Sequence, residues 1–236
     1  MSLLATLPRP VRILDVGGTE RFWEAMRYTG APDVEIVLLN LEAPAPTRHS
    51  NLHTVTGDAT RIVDYGVGEF DVVFSNSVIE HVGGFYDQRR MAEEIRRVGK
   101  RYFVQTPNRY FPIEPHFLFP FFQFLPTTAK EFLAWRLSLG WYGSLGEREQ
   151  VQESARTIRL LSRRELTQLF PGGTLYEERL LGIAKSFVVY GGWDASGAEC
   201  DTAPLGWGGM VRSNTFHLDS ESLPLDVQSA SRLRGR

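Results

Sequence analysis

The chain has 236 residues, 42% of them hydrophobic and 23% charged, a composition ordinary for a globular protein with one substantial core. Lys and Arg number 26 against 28 Asp and Glu, a formal charge of −2, which argues against nucleic acid or another polyanion as partner. Cys200 is the only cysteine, so no internal disulfide forms; the opening MSLLATLPRP lacks the basic start and apolar stretch of a secretory signal; and the most apolar run, FLFPFFQFL at 117–125, is far shorter than the ~20 residues of a membrane span. A cytoplasmic setting is the expectation.

In chain order, the runs VRILDV (11–16), VEIVLL (34–39), LHTVTG (52–57), FDVVFS (70–75) and RYFVQT (101–106) are almost continuously apolar. That pattern predicts parallel strands covered on both faces. ERFWEAMRY (20–28) reads as a helix with Glu20 in its first turn, and YDQRRMAEEIRRV (86–98) as a surface helix with Met91, Ile95 and Val98 on one face. Strand and helix alternating in this way predict an α/β fold, a Rossmann-like doubly wound, mostly parallel sheet.

From 107 to 157 the pattern changes. A Pro- and Phe-rich stretch, PNRYFPIEPHFLFPFFQFLP, precedes a predicted helix at 128–139, where Thr128 and Glu131 make a capping pair and Phe132, Trp135 and Leu139 share a face. This segment reads as a lid inserted over the sheet. Ser162 and Glu165 open a further helix, and TLYEERLLG (174–182) and KSFVVYG (185–191) form a hairpin, so the sheet is expected to close with an antiparallel strand. One domain over 1–192 with a loose tail at 193–236, rich in Ser, Gly, Asp and Pro, is the resulting organisation.

In open α/β sheets ligands bind beyond the carboxyl ends of the strands. DVGGTE (15–20) follows the first strand: Gly17 and Gly18 allow a close backbone approach, and Asp15 can accept hydrogen bonds. The third glycine of a dinucleotide fingerprint is missing, and Glu20 stands where a phosphate would be repelled, so a ligand without phosphates fits better. Polar groups also end the next strands, in LLNLE (38–42), TGDA (56–59) and FSNSVIEHV (74–82). Four polar strand ends along one edge describe a site.

ILDVGG, LLNLE, GDA and FDVVFSNSVIEHV, with the closing hairpin, resemble the successive motifs of class I S-adenosylmethionine-dependent methyltransferases, especially the type 11 group related to quinone-biosynthesis methylases. The resemblance spans about residues 11–106 and implies S-adenosyl-L-methionine as cofactor. It places Asp15, Gly17 and Gly18 along the methionine portion, Leu41 against the adenine, Asp58 at the adenine amino group and Ala59 at the ring edge. Ser75, Asn76 and Ser77 would border the sulfonium. Where the family carries a ribose-binding acid this chain has Asn40, with Glu42 two residues on; either is a candidate for the ribose.

A sulfonium is already an activated methyl donor, so the protein has chiefly to align an acceptor and take its proton. His81, beside Glu80, is one candidate base, since imidazole titrates near neutrality; the alternative is a histidine that packs against its loop. The other is IEPH, where Pro112 and Pro115 would stiffen the backbone around Glu114 and His116. In some quinone methylases that resemble this chain the matching acid and histidine help to bind a divalent ion, an alternative that stays open here although the ligand count does not support a metal. His49, His53 and His217 have no such context.

Phe117, Phe119, Phe121, Phe122 and Phe124 could fill the core under the lid, line a pocket for an apolar acceptor, or dock on a membrane or second subunit. The reading is methyl transfer to a small molecule, at oxygen, the acceptor being a sugar, a quinone-like ring or a secondary metabolite. A cofactor-binding scaffold without activity and an NAD-dependent oxidoreductase are the alternatives.

Overall fold

A computed structural model of the protein describes residues 3–42, 46–114, 119–126, 128–130, 133 and 158–193. The strands are β1 (Val11–Val16), β2 (Val34–Asn40), β3 (Leu52–Thr56), β4 (Val72–Asn76), β5 (Tyr102–Pro107), β8 (Thr174–Leu180) and β9 (Ile183–Gly191), joined in one sheet of order β3-β2-β1-β4-β5-β9-β8. A separate pair, β6 (Ile113–Glu114) and β7 (Phe119–Pro120), lies in the inserted segment. β1 to β5 run parallel; β9 runs against β5, and β8 against β9. The last strand among the described residues is thus the reversed one, and it sits inside the sheet with β8 at the edge. Strand order turns back between β1 and β4, the switch point at which doubly wound sheets open a crevice.

Alternation along the strands sends side chains to two cores. Leu14, Val16, Val37, Leu39, Val73, Val104 and Val189 face α2 (Phe85–Val98) and α3 (Arg163–Leu169), while Ile13, Ile36, Leu38, Phe74, Phe103 and Val188 face α1 (Glu20–Ala25) and the 3-10 turn Leu3–Thr6. Apolar residues on both faces are what a parallel sheet clothed by helices requires. α1 is shorter than its sequence suggests: Arg27 adopts φ +59, so the helix stops and Tyr28 N–H turns back to Trp23 O at 3.1 Å. α3 begins where expected, with Glu165 N–H donating to Ser162 Oγ (3.3 Å) and Ser162 N–H to Glu165 Oε2 (2.8 Å).

Of the expected lid, most of the predicted helix at 128–139, including Glu131, Phe132, Trp135 and Leu139, lies outside the described residues, as does the tail beyond Trp193. Both ends of the insertion are held at one place. Asn108 bridges to Leu161, Arg109 N–H donates to Leu161 O (3.0 Å), and Arg159 N–H donates to Glu80 O (2.8 Å). Fully buried Gln88, on α2, ties this junction: its Nε2 donates to Ile79 O (3.0 Å) and Arg159 O (2.8 Å), and its Oε1 accepts from Arg159 (2.7 Å).

Gln88→Ala removes all three bonds and leaves two buried carbonyls without their donor. We expect a loss of about 3 kcal/mol of stability, read as a lowered urea midpoint with an unchanged m-value.

Candidate functional site

Strand register brings the polar strand ends into a row. Asp15 lies on the face of Ile13, Asn40 on that of Leu38, Asn76 on that of Phe74 and Gln105 on that of Phe103, so all four share the α1 face of neighbouring strands β2, β1, β4 and β5. Asn76 and Gln105 are direct partners in the ladder.

The floor of the site is Asp15. Its carboxylate is 2% exposed, and Oδ2 accepts from Trp23 Nε1 at 2.7 Å. Trp23 is itself fully buried, edge-on to Phe74 and Tyr28, which locks the indole that holds the carboxyl. Burial pushes the Asp15 carboxyl up to about 8, against the downward pull of the indole N–H. Below that pH the group carries its proton.

The Gly17–Gly18 loop closes over this floor. Gly17 adopts φ +75, and a Cβ there would come within 2.4 Å of Val78 Cγ2; a Cβ on Gly18 would lie 2.0 Å from Asp15 Oδ2. The two glycines therefore serve first to let the loop settle on Asp15 and Val78. Asn40, 7% exposed, fastens the loop from the next strand, its Nδ2 donating to Gly18 O at 3.0 Å. This leaves Asn40 its Oδ1 to offer a ligand.

Beyond the ends of β2 and β3, Leu41 is 56% exposed, Glu42 and Asp58 are exposed, and Ala59 is buried. Asp58 Oδ1 accepts from Thr60 N–H at 2.7 Å, which fixes the exposed carboxylate in a turn. An uncovered leucine flanked by carboxylates suits a flat ring with amino and hydroxyl substituents. Acceptors predominate along this edge, which fits the ammonium, ribose hydroxyls and adenine amino group of S-adenosylmethionine. α1, with six residues and Glu20 at its start, offers a phosphate little.

After β4 the loop turns sharply at Ser77, which holds φ +56 and donates to Gln105 twice, N–H to the backbone oxygen (3.1 Å) and Oγ to Oε1 (2.8 Å). Ser75 falls on the other face of β4, shared with Val73 under α2; it is fully buried, and its hydroxyl has no partner among the described residues. What Ser75 can present to the site is backbone. Glu80 is fully buried and accepts from Thr106 Oγ1 at 3.0 Å, while half-buried His81 donates its backbone N–H to Val78 O at 2.8 Å. His81 thus stands in the loop whose Val78 supports Gly17.

In the segment after β5, Glu114 lies in β6 opposite Phe119 of β7, and His116 and Phe117 lie outside the described residues. Phe122 is buried, whereas Phe121 and Phe124 are exposed, the latter stacked on Tyr110 at 6.1 Å. His49 pairs with Glu24 (3.2 Å) and Glu20 (3.8 Å) of α1. Among the described residues no helix is long and apolar enough to cross a membrane.

Sequence reasoning missed Gln105, although a signal was present. In RYFVQT a single amide interrupts an apolar run near the strand end, as Asp15 does in VRILDV.

Residues 14–102 match the family model of the methyltransferase domain Methyltransf_11. No curated protein matches the chain. Among solved structures, the CurJ carbon methyltransferase is 13% identical with a TM-score of 0.50, covering 79% of this chain and 50% of its own. An O-methyltransferase, described as putative, from Nostoc punctiforme PCC 73102 is 16% identical (TM-score 0.45, 80% and 55%). An S-adenosylmethionine-dependent methyltransferase from Methanosarcina mazei is 13% identical (TM-score 0.45, 80% and 97%). The chain spans about half the length of the first two; the likeness to the first is one of fold.

The Asp15 carboxyl predicts a pH dependence in the ligand-free protein. Below the ordinary value of 3.8 the group is protonated both folded and unfolded; between there and about 8 only the folded state keeps the proton. Its contribution to stability is therefore greatest at low pH and falls as pH rises across that window. Asp15→Asn, which keeps an acceptor for Trp23 and cannot ionise, is expected to flatten the decline in Tm between pH 5 and 8 relative to wild type; parallel curves would contradict the assignment.

Proposed function

We propose that the chain, whose residues 14–102 match a methyltransferase-domain model, is a class I S-adenosylmethionine-dependent methyltransferase that methylates an oxygen of a small-molecule acceptor in the cytoplasm. The observation that carries the cofactor reading is the Gly17–Gly18 loop seated on buried Asp15 at the switch point of the sheet, clamped by Asn40. When bound, S-adenosylmethionine supplies a methyl group on a positively charged sulfur that already serves as leaving group.

The rest falls to the protein. Asp15 and the glycine loop hold the methionine portion, Asn40 Oδ1 or Glu42 takes a ribose hydroxyl, Leu41 packs on the adenine, and Asp58 and Ala59 meet its edge. Ser75 and Asn76 border the sulfur from the end of β4, Ser75 through its backbone. The acceptor hydroxyl gives its proton to His81, or to the Glu114/His116 pair of the inserted segment, as its oxygen gains the methyl group. A sugar, a quinone-like ring or a secondary metabolite all present such a hydroxyl, and the fold does not choose among them.

Calorimetric titration is expected to show micromolar binding of S-adenosylmethionine and S-adenosylhomocysteine and none of NAD. Asp15→Ala and Asp58→Ala should each weaken that binding by about tenfold or more; unchanged affinity in both variants overturns the site.

His81→Ala should leave S-adenosylhomocysteine affinity within about twofold and lower turnover by about 100-fold or more on any acceptor that a screen yields. Loss of affinity as well would mark His81 as structural, and cofactor binding without turnover on any acceptor would favour a scaffold role.

A further inference from the structure

The row of strand-end groups contains one member to which no role has yet been given. Gln105 is 4% exposed and stands beside Asn76, on the face shared with Asp15 and Asn40. A buried amide needs partners for both ends. One end is taken by Ser77 Oγ at 2.8 Å. The other does not count among the buried polar atoms without a partner, which include the Ser75 hydroxyl and the Gln123 amide oxygen. Among the described residues that end has no partner and is not sealed from the surface at the end of β5.

Three features place that end next to the ligand. Ser77 directly precedes Val78, against whose methyls Gly17 closes. Ser77 itself is held at φ +56, a conformation that residues other than glycine adopt at a cost, and two hydrogen bonds to Gln105 maintain it. Thr106 and Pro107, which follow Gln105, lead into the insertion at Asn108. The pair thus stands between the glycine loop and the entrance of the acceptor segment.

We propose that Gln105, held by Ser77, is the polar side chain that faces the transferred methyl group and the acceptor atom. The proposal rests on the cofactor reading above. Its chemistry follows from the serine hydroxyl, which can donate or accept. If Ser77 donates to Oε1, the amide presents N–H to an acceptor oxygen; if the amide turns over, Ser77 accepts and the carbonyl oxygen faces a positive group. The same two residues can therefore contact the positively charged donor end or the neutral acceptor without rearranging the backbone. Glu80 with Thr106 lies on the opposite face of β5 and contributes nothing to this contact.

Sinefungin tests this without a known acceptor. It matches S-adenosylhomocysteine except that the sulfur is replaced by a carbon bearing an ammonium group, set where the methyl group would be. Wild-type protein, Gln105→Ala, Gln105→Glu and Ser77→Gly are titrated with both ligands, and folding is checked by thermal melting. Gln105→Ala should weaken sinefungin about tenfold while S-adenosylhomocysteine stays within about twofold. Gln105→Glu should tighten sinefungin selectively, since a carboxylate then meets the ammonium. Ser77→Gly, in which glycine accepts the backbone conformation without strain, should weaken sinefungin selectively and decides the matter if Gln105→Ala does not fold. Equal losses for both ligands, or no change for either, overturn the proposal alone. Failure of wild-type protein to bind S-adenosylhomocysteine overturns the cofactor reading and the proposal with it.

Discussion

The hydrogen bond from the Trp23 indole to the Asp15 carboxyl is the contact on which the binding edge is built. A carboxyl sealed in an apolar core is costly unless it is neutral or well partnered. Here it is both largely protonated at neutral pH and bonded, and its presence accounts for its neighbours. The indole has to be buried to reach it, so α1 is anchored through Trp23 and the stacked Phe22 and Phe74. The loop above has to be glycine at Gly18 because Oδ2 occupies the place of a side chain.

The second organising constraint is parity. In a strand, residues two apart share a face, so a polar group one position nearer or farther from the strand end belongs to a different layer. Asp15, Asn40, Asn76 and Gln105 have one parity and make the proposed ligand edge; Ser75 and Thr106 have the other. Thr106 joins Glu80 beneath the loop of His81 and helps to fix that loop without entering the edge. Within the β4–β5 pair both parities carry polar groups, Asn76 and Gln105 on one face and Ser75 and Thr106 on the other.

Much of this architecture could be read from residue order. The five strand runs, the capping pair Ser162 and Glu165, and the reversed final hairpin are local patterns whose period or chemistry survives in the fold. The glycine loop was legible for the same reason, because few residues tolerate φ +75. What could not be read was which neighbour each polar group would choose. Asn40, with Glu42 a candidate for the ribose, also turns its amide nitrogen to Gly18 O, a partner 22 residues away in sequence. Ser75 and Asn76 looked equivalent in FSNS, and only the sheet separates them. The truncation of α1 depended on Arg27 taking a left-handed conformation that no turn-forming residue announces.

The junction at Asn108, Arg109 and Arg159–Leu161 has a consequence for how such a protein could change. The two ends of the excursion meet within one hydrogen-bonded cluster that also contains Glu80 and Gln88. Because closing a longer loop between fixed ends costs little more than closing a short one, the stretch between them can lengthen, shorten or be replaced outright while strands and cofactor edge keep their registry. Descendants of this chain could exchange this proposed acceptor segment as one cassette as long as Gln88 and its three bonds are retained.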